Sequence, residues 1–445
     1  MPGEATEVFR FQRMIALGAV MGLAGCGAPA PPPALPELLT ADGVERVSVD
    51  RADYAAELRS FRASAFFLGE ALLADCGDGS NGNVVSSPGS LLIALAMLRA
   101  GATGKTAAEM DSILQFPAEN RDETMNSVLR SLEEFDGDPG AVDEDNPPRK
   151  PVMHPANGLF VDKDVPAGQS FLDTLARHYG TGVYPVDFSD EGATKPAIDA
   201  WVNRNTGGRI KEAPAEYSPK NTFSLLNSLY FASAWSTPFD PNATSDLPFT
   251  TAAGEEIDVP AMHNELTMKY AEGTGWQGVD LPYADGFVMR LVLPAGNTAP
   301  DGTAASRDTP APAAFDAEKL TEIADTFDTA RPESVQIQLP RWDHRSSFDL
   351  RKVFEALGLE NMLGTTEDFN NIQPQMMITQ AAQAANITVA EKGTIAAAVT
   401  QINGEATSAP PEPERTIEFD RPFHYQIVHG ETGLPLFMGT VADPR

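Results

Sequence analysis

Apolar residues fall at helical spacing in much of the first half of the chain and in strand-like runs in the second. Residues 91–99 form an apolar stretch, with Ser90 placed to cap it and Gly101 placed to end it, which predicts a helix. Thr106-Ala107-Ala108-Glu109 has the spacing at which two side chains satisfy each other's backbone N–H groups, and it predicts a second helix through Leu114. Ile198, Trp201, Val202 and Asn205 share one helical face, and Gly207-Gly208 stops that helix. Residues 225–233 and 287–293 are apolar with β-branched or aromatic members, so they read as buried strands. A helix over 348–357 ends at Gly358, and two short strands within 422–441 flank residues 430–433. Helices early and strands late make the class α+β.

The N-terminus follows a different pattern. Arg10 and Arg13 precede an apolar run over residues 14–23, the length of a signal-peptide core and well short of the roughly 20 residues a spanning helix needs. Leu23-Ala24-Gly25-Cys26 resembles the bacterial lipobox, which implies cleavage after residue 25 and lipidation of Cys26. The Pro-rich stretch that follows, to Pro36, is expected to be an extended spacer. The expected organisation is therefore a lipoprotein signal over 1–25, a lipidated cysteine and linker over 26–49, and one folded domain over 50–445. Residues 136–150 and 296–314 are rich in Pro, Gly and polar residues and read as surface insertions.

Charge narrows the partners. With 63 acidic against 32 basic residues the net charge is −31, which argues against nucleic acid, heparin-like polyanions and electrostatic docking on anionic lipid. Loss of residues 1–25 removes Glu4, Glu7, Arg10 and Arg13 and leaves the charge unchanged. Two cysteines, Cys26 and Cys76, make no disulfide framework or thiolate cluster, and the six histidines lack metal spacing. No metal or cofactor is expected. The formal GxGxxG at 273–278 is followed by strand-like residues, so no helix N-terminus stands ready for a pyrophosphate. Residues 101–106, which look like a phosphate loop, link two helices. No GxSxG elbow occurs, and nothing in the pattern supports an enzyme.

Several segments, in one order, resemble the serpin family. They are Asn83 through Pro88 and Ser90 to Gly101, Gly104 and Thr106; Leu226-Asn227 through Phe231, Trp235, Pro238 and Phe239; Leu281-Pro282-Tyr283; Leu339-Pro340-Arg341-Trp342; and Asp420-Arg421-Pro422-Phe423 to Gly439. The resemblance covers about residues 50–445. It implies three β-sheets, eight to nine helices and an exposed reactive-centre loop between Glu391 and Pro422. It also implies hydrogen bonding by Ser87, Ser90 and Asn227 at the shutter of the central sheet, and a place for Trp235 at the breach where loop insertion begins. Gln383 departs from the family's usual His. Its amide both donates and accepts, so the shutter network must be rebuilt around it. Ile395 replaces a commonly acidic residue, and four extra residues separate Pro411 from Pro422.

The loop can also be read from its residues. Residues 391–400 are small, free of Pro and mostly uncharged. Taken as a strand, Thr394, Ala396, Ala398, Thr400, Ile402, Gly404 and Ala406 share one face that carries no charge, while Gln401, Asn403 and Glu405 lie on the other. Glu391, Gly393, Thr394, Ala396, Ala397 and Ala398 form the expected hinge. Counting the family's usual 14 residues from Gly393 puts the scissile bond at Thr407–Ser408, and an inserted strand of that length spans about 46 Å. The resemblance implies a suicide-substrate inhibitor of serine proteases, and a small residue before the cut points to elastase-like or subtilisin-like targets. The second reading is a non-inhibitory serpin-fold surface lipoprotein acting as a binding module. The expected form is a monomer anchored outside the cytoplasm; Gly27, not Asp, after Cys26 leans toward outer-membrane sorting.

Overall fold

Every residue of the strand Phe223–Ala234 is buried. A strand buried on both faces must be covered on both sides, and this one is. On one face, helix Glu191–Asn205 lays Ile198, Trp201 and Val202 over Phe160, Leu226 and Ala382. The main hydrophobic core, which includes helix Pro88–Gly101, lies under the other. The computed structural model describes residues 34–75, 82–214, 217–295, 315–394 and 414–445.

Six strands form the first sheet, in the order Trp342–Asp349, Gln380–Ala390, Gly393–Thr394, Phe223–Ala234, Val152–Asp162 and Tyr184–Val186. Its middle is irregular in a way that matters. Gln380–Ala390 pairs directly and in parallel with Phe223–Ala234 from Gln380↔Ser224 to Ala384↔Ser228. Nearer the Ala234 end, Gly393–Thr394 lies between these two strands, antiparallel to both. The sheet is closed at one end and holds the start of an extra strand at the other.

The remaining nine strands form one sheet, not the two further sheets the family resemblance implies. The reason is the unbroken strand Glu256–Gly273. Its first part pairs with Ser245–Thr250, its last residues pair with Trp276–Pro282, and Pro332–Pro340 lies along its middle. One continuous backbone thus joins what would otherwise count as separate sheets. Nine α-helices occur among the described residues, within the expected range.

Three local readings need correction. The helix expected over 91–99 runs Pro88–Gly101, with Ser87 at its N-cap and Pro88 in the first turn, where a missing N–H costs nothing. Ser90 is therefore inside the helix and does not cap it; its hydroxyl donates to the carbonyl of Ser228 on the sheet above (3.3 Å). The Thr106/Glu109 box does not form. Helix Gly104–Ile113 begins earlier, Asp368 accepts from the Thr106 N–H (3.0 Å), and Glu109 instead accepts from Asn361 and Met362 at the start of helix Glu360–Gly364. Phe348 belongs to strand Trp342–Asp349, and Asp349 caps helix Leu350–Ala356 through the Arg351 N–H. The glycine pattern at 273–278 is a hairpin between Glu256–Gly273 and Trp276–Pro282, with Gly275 at φ +83°.

Candidate functional site

The site is built where the six-stranded sheet changes from closed to open. Gln383 and Asn227 face each other across the parallel ladder, and Asn157 is the partner of Asn227 on the next strand. Facing partners on neighbouring strands point to the same side, so these three amides form a row. Helix Pro88–Gly101 starts beneath it. Gln383 Oε1 accepts from the Ser87 N–H (2.9 Å), and Nε2 donates to the Ser87 carbonyl (2.9 Å) and to Asn227 Oδ1 (2.6 Å). Asn227 Nδ2 donates to Ser90 Oγ (2.7 Å) and Asn157 Oδ1 (2.5 Å). The Ser87 hydroxyl turns away, to the Leu436 carbonyl (2.8 Å). Ser87, Ser90, Asn227 and Gln383 are all buried. The structure brings these four residues together, and the amide in place of the family's usual His uses both its donor and its acceptor. In this network the Gln383–Asn227 bond ties the two strands to each other.

The open end is organised around Trp235. Its ring is buried and stacks on Tyr283 (centroids 4.5 Å apart); Nε1 donates to the Ala390 carbonyl and the backbone N–H to the Lys392 carbonyl (2.9 Å each). The turn at 391–392 is held by charge. Glu391 accepts from Thr244 Oγ1 (2.6 Å) and Arg341 Nε (2.7 Å), and it pairs with the Arg341 guanidinium. Lys392 Nζ donates to the Asp145 carbonyl (2.8 Å). Gly393 has no room for a side chain: a Cβ there would lie 2.1 Å from the Ser233 carbonyl oxygen. Thr394 is buried and hydrogen-bonds the Tyr283 hydroxyl. Burial pushes the Tyr283 phenol well above its ordinary range, so it meets Thr394 as a neutral group.

Glu391, Gly393, Thr394 and Trp235 are thus neighbours. Ala396, Ala397, Ala398, Thr407, Ser408 and Cys26 lie outside the described residues. Sequence reasoning gave no role to Asn157, Thr244, Tyr283 or Arg341. Tyr283 and Arg341 sat inside the family-like motifs, and Asn157 is signalled only as the one amide in strand Val152–Asp162. Among the described residues no group of three or more His, Cys, Asp or Glu side chains could hold a metal ion, and no helix is long and apolar enough to cross a membrane.

A six-stranded sheet closed over a buried polar cluster, with the two-residue strand Gly393–Thr394 begun at its open end, places the protein in the serpin fold class. The family model described as "Serpin (serine protease inhibitor)" matches residues 66–444. The chain belongs to the serpin family, whose members named below as inhibitors act on enzymes without being catalysts themselves. Over 374 residues it is 30% identical to plasminogen activator inhibitor 1 of Sus scrofa, covering 81% of this chain and 87% of that one. It is 30% identical over 376 residues to an uncharacterized serpin-like protein of Thermococcus kodakarensis, covering 82% of each. Among solved structures, the thermophilic serpin tengpin in its native state superposes with a TM-score of 0.73 at 22% identity, covering 92% of this chain and all of that one. Thyroxine-binding globulin complexed with thyroxine superposes at 0.68 and 22% identity, covering 87% and 99%.

Proposed function

We propose that the protein is an irreversible suicide-substrate inhibitor of elastase-like or subtilisin-like serine proteases, tethered outside the cytoplasm through a lipid on Cys26. The observation that carries this reading is the register of the hinge. Thr394 faces Val389 on one side and Ser233 on the other. Continued without a shift, that register sets Thr400 opposite both Gln383 and Asn227, which already face each other, and Gly404 opposite Phe223. The loop therefore enters without any residue on the flanking strands changing partner level; the two strands only move apart by one strand spacing, about 4.8 Å. The face bearing Thr394, Ala396, Ala398 and Thr400 goes to the same side as Gln383 and carries no charge.

The chemistry belongs to the target. The protease's serine oxygen attacks the Thr407 carbonyl carbon, the bond to Ser408 breaks, and the new amine leaves with a proton from the protease's histidine. The ester that remains would normally be hydrolysed by water. Insertion of residues 395–407 draws the attached protease along the sheet before that happens, driven by free energy held behind a kinetic barrier. The test is to mix the soluble form (residues 27–445) with elastase or subtilisin and to run denaturing gels with mass spectrometry. A denaturant-resistant adduct and a released peptide beginning at Ser408 support the reading. Clean cleavage near 401–409 with undiminished protease activity and no adduct counts against it.

A further inference from the structure

The two ends of the six-stranded sheet are not equivalent with respect to the N-terminal tether. The hinge lies beside Ser233 and Ala234. At the other end of the same strand, Phe223 pairs with Val161, and Tyr184–Val186 pairs alongside Phe160–Asp162. Just before that short strand, Val183 and Leu39 exchange backbone hydrogen bonds of 2.8 and 3.0 Å in antiparallel sense. Val152–Asp162 and its parallel neighbour run toward the Phe223 end. An antiparallel partner must run away from that end, so the residues preceding Leu39 approach from the Phe223 pole.

This entry is fixed to the body. A Cβ on Gly182 would lie 1.9 Å from the Leu39 carbonyl oxygen. Further along, the Val47 N–H donates to Arg177 (3.0 Å), Asn126 Nδ2 donates to the Val47 carbonyl (2.9 Å), and Arg46 Nε donates to Asn126 Oδ1 (2.8 Å) while its guanidinium pairs with Glu133. Leu35, Leu38 and Leu39 are the exposed large hydrophobic residues among those described, and all three lie in the entry segment.

We infer that a captured protease ends at the pole where the tether enters, so that the anchored inhibitor presses its target against the membrane. This rests on the inhibitory, lipid-anchored reading above. With Gly404 opposite Phe223, Thr407 emerges three residues past the far end of the strand, on the side from which residues 34–38 arrive. Before cleavage the hinge is at the opposite end, about 36 Å away along the sheet. From Cys26 to Ala34 the chain can reach at most about 28 Å. A protease of about 250 residues has a radius of gyration near 18 Å, or about 45 Å across. It cannot occupy that pole without touching the bilayer surface.

The experiment uses the mature chain from Cys26 carrying Cys76→Ser, with Cys26 coupled to a maleimide phospholipid in phosphatidylcholine vesicles that hold an acceptor dye. Donor-labelled subtilisin forms the adduct; the same enzyme without its nucleophilic serine serves as the loop-docked, uncut comparison. Energy transfer to the bilayer is expected to be at least about twofold higher in the adduct, from the ~36 Å shift. A spacer of about 30 Gly/Ser residues inserted after Gly27 is expected to reduce it. An adduct whose transfer equals or falls below that of the docked enzyme overturns the inference. Absence of adduct in the soluble control overturns the inhibitory reading itself, and this inference with it.

Discussion

Gln383→Leu tests what holds the sheet shut. The substitution keeps an apolar side chain in the buried site and removes three hydrogen bonds: Ser87 N–H to Oε1, and Nε2 to the Ser87 carbonyl and to Asn227 Oδ1. The Ser87 N–H and the Asn227 amide oxygen lose this partner where water does not reach, while the Ser87 carbonyl keeps the Leu91 N–H (3.1 Å). Each orphaned group costs about 1–3 kcal/mol. Because Asn227 stays held by Ser90 and Asn157 and can pivot, a total of about 4 kcal/mol is the working figure. For a domain of this length the unfolding entropy is roughly 0.9 kcal/mol per degree, so the intact protein is expected to melt about 4–5 °C lower at a fixed scan rate. The loop-cleaved form is expected to lose less. On the proposed mechanism its two strands have already parted, so the Gln383–Asn227 bond is absent from the starting state and only the two Ser87 bonds remain to be lost. Differential scanning fluorimetry of intact and cleaved protein, wild type and variant, reads both shifts. An intact variant that melts within a degree of wild type, or equal losses in both forms, would refute the assignment of Gln383 as the bond across the slit.

Other perturbations follow from the same geometry. Gly393→Val drives a side chain into the Ser233 carbonyl, so the hinge is expelled; the variant is expected to remain folded but to be cleaved by subtilisin with no adduct on denaturing gels. Arg341→Ala strips the guanidinium from the buried Glu391 carboxylate and leaves Thr244 as its side-chain donor, for an expected loss of about 2 kcal/mol, seen as a drop in melting temperature of about 2 °C. Burial lowers His344 to about 4, His424 to about 3 and His429 to about 4, against the opposing pull of Asp343 and Asp443 on the first and Glu431 on the last. The unfolded chain thus binds protons more readily than the native one. Stability is expected to be full above about pH 6.5 and to fall as pH drops toward 4, with His429→Gln flattening the profile of melting temperature against pH.

The parts of the fold legible in the sequence were those fixed by local pattern. Phe223–Ala234 and Phe287–Pro294 show as apolar runs because both faces of each are covered. Helix Glu191–Asn205 shows as a stripe because only one face meets the sheet. Reading failed where a side chain was spent on a distant partner. Ser90 has the chemistry of a helix cap, and Thr106 with Glu109 has the spacing of a box. Yet Ser90 reaches a strand 138 residues away, and Glu109 caps a helix 252 residues away. No local rule can see that. The site shows the same division. Ser87, Asn227 and Gln383 could be placed only through a family-like pattern, whereas Asn157 sits in the same row and went unseen, because a lone amide in a strand gives no hint of what faces it. The loop is a different case: alternation suggests two faces for it, yet alternation does not reveal where an inserted strand would stop. That required the hinge register. Thr394 sits between Val389 and Ser233, and if that register continues as proposed, Thr400 falls at the level where Gln383 meets Asn227. On the proposed mechanism the Gln383–Asn227 bond, with the backbone ladder from Gln380↔Ser224 to Ala384↔Ser228, lies across the path of the loop, and strength there is expected to slow spontaneous insertion and productive trapping alike.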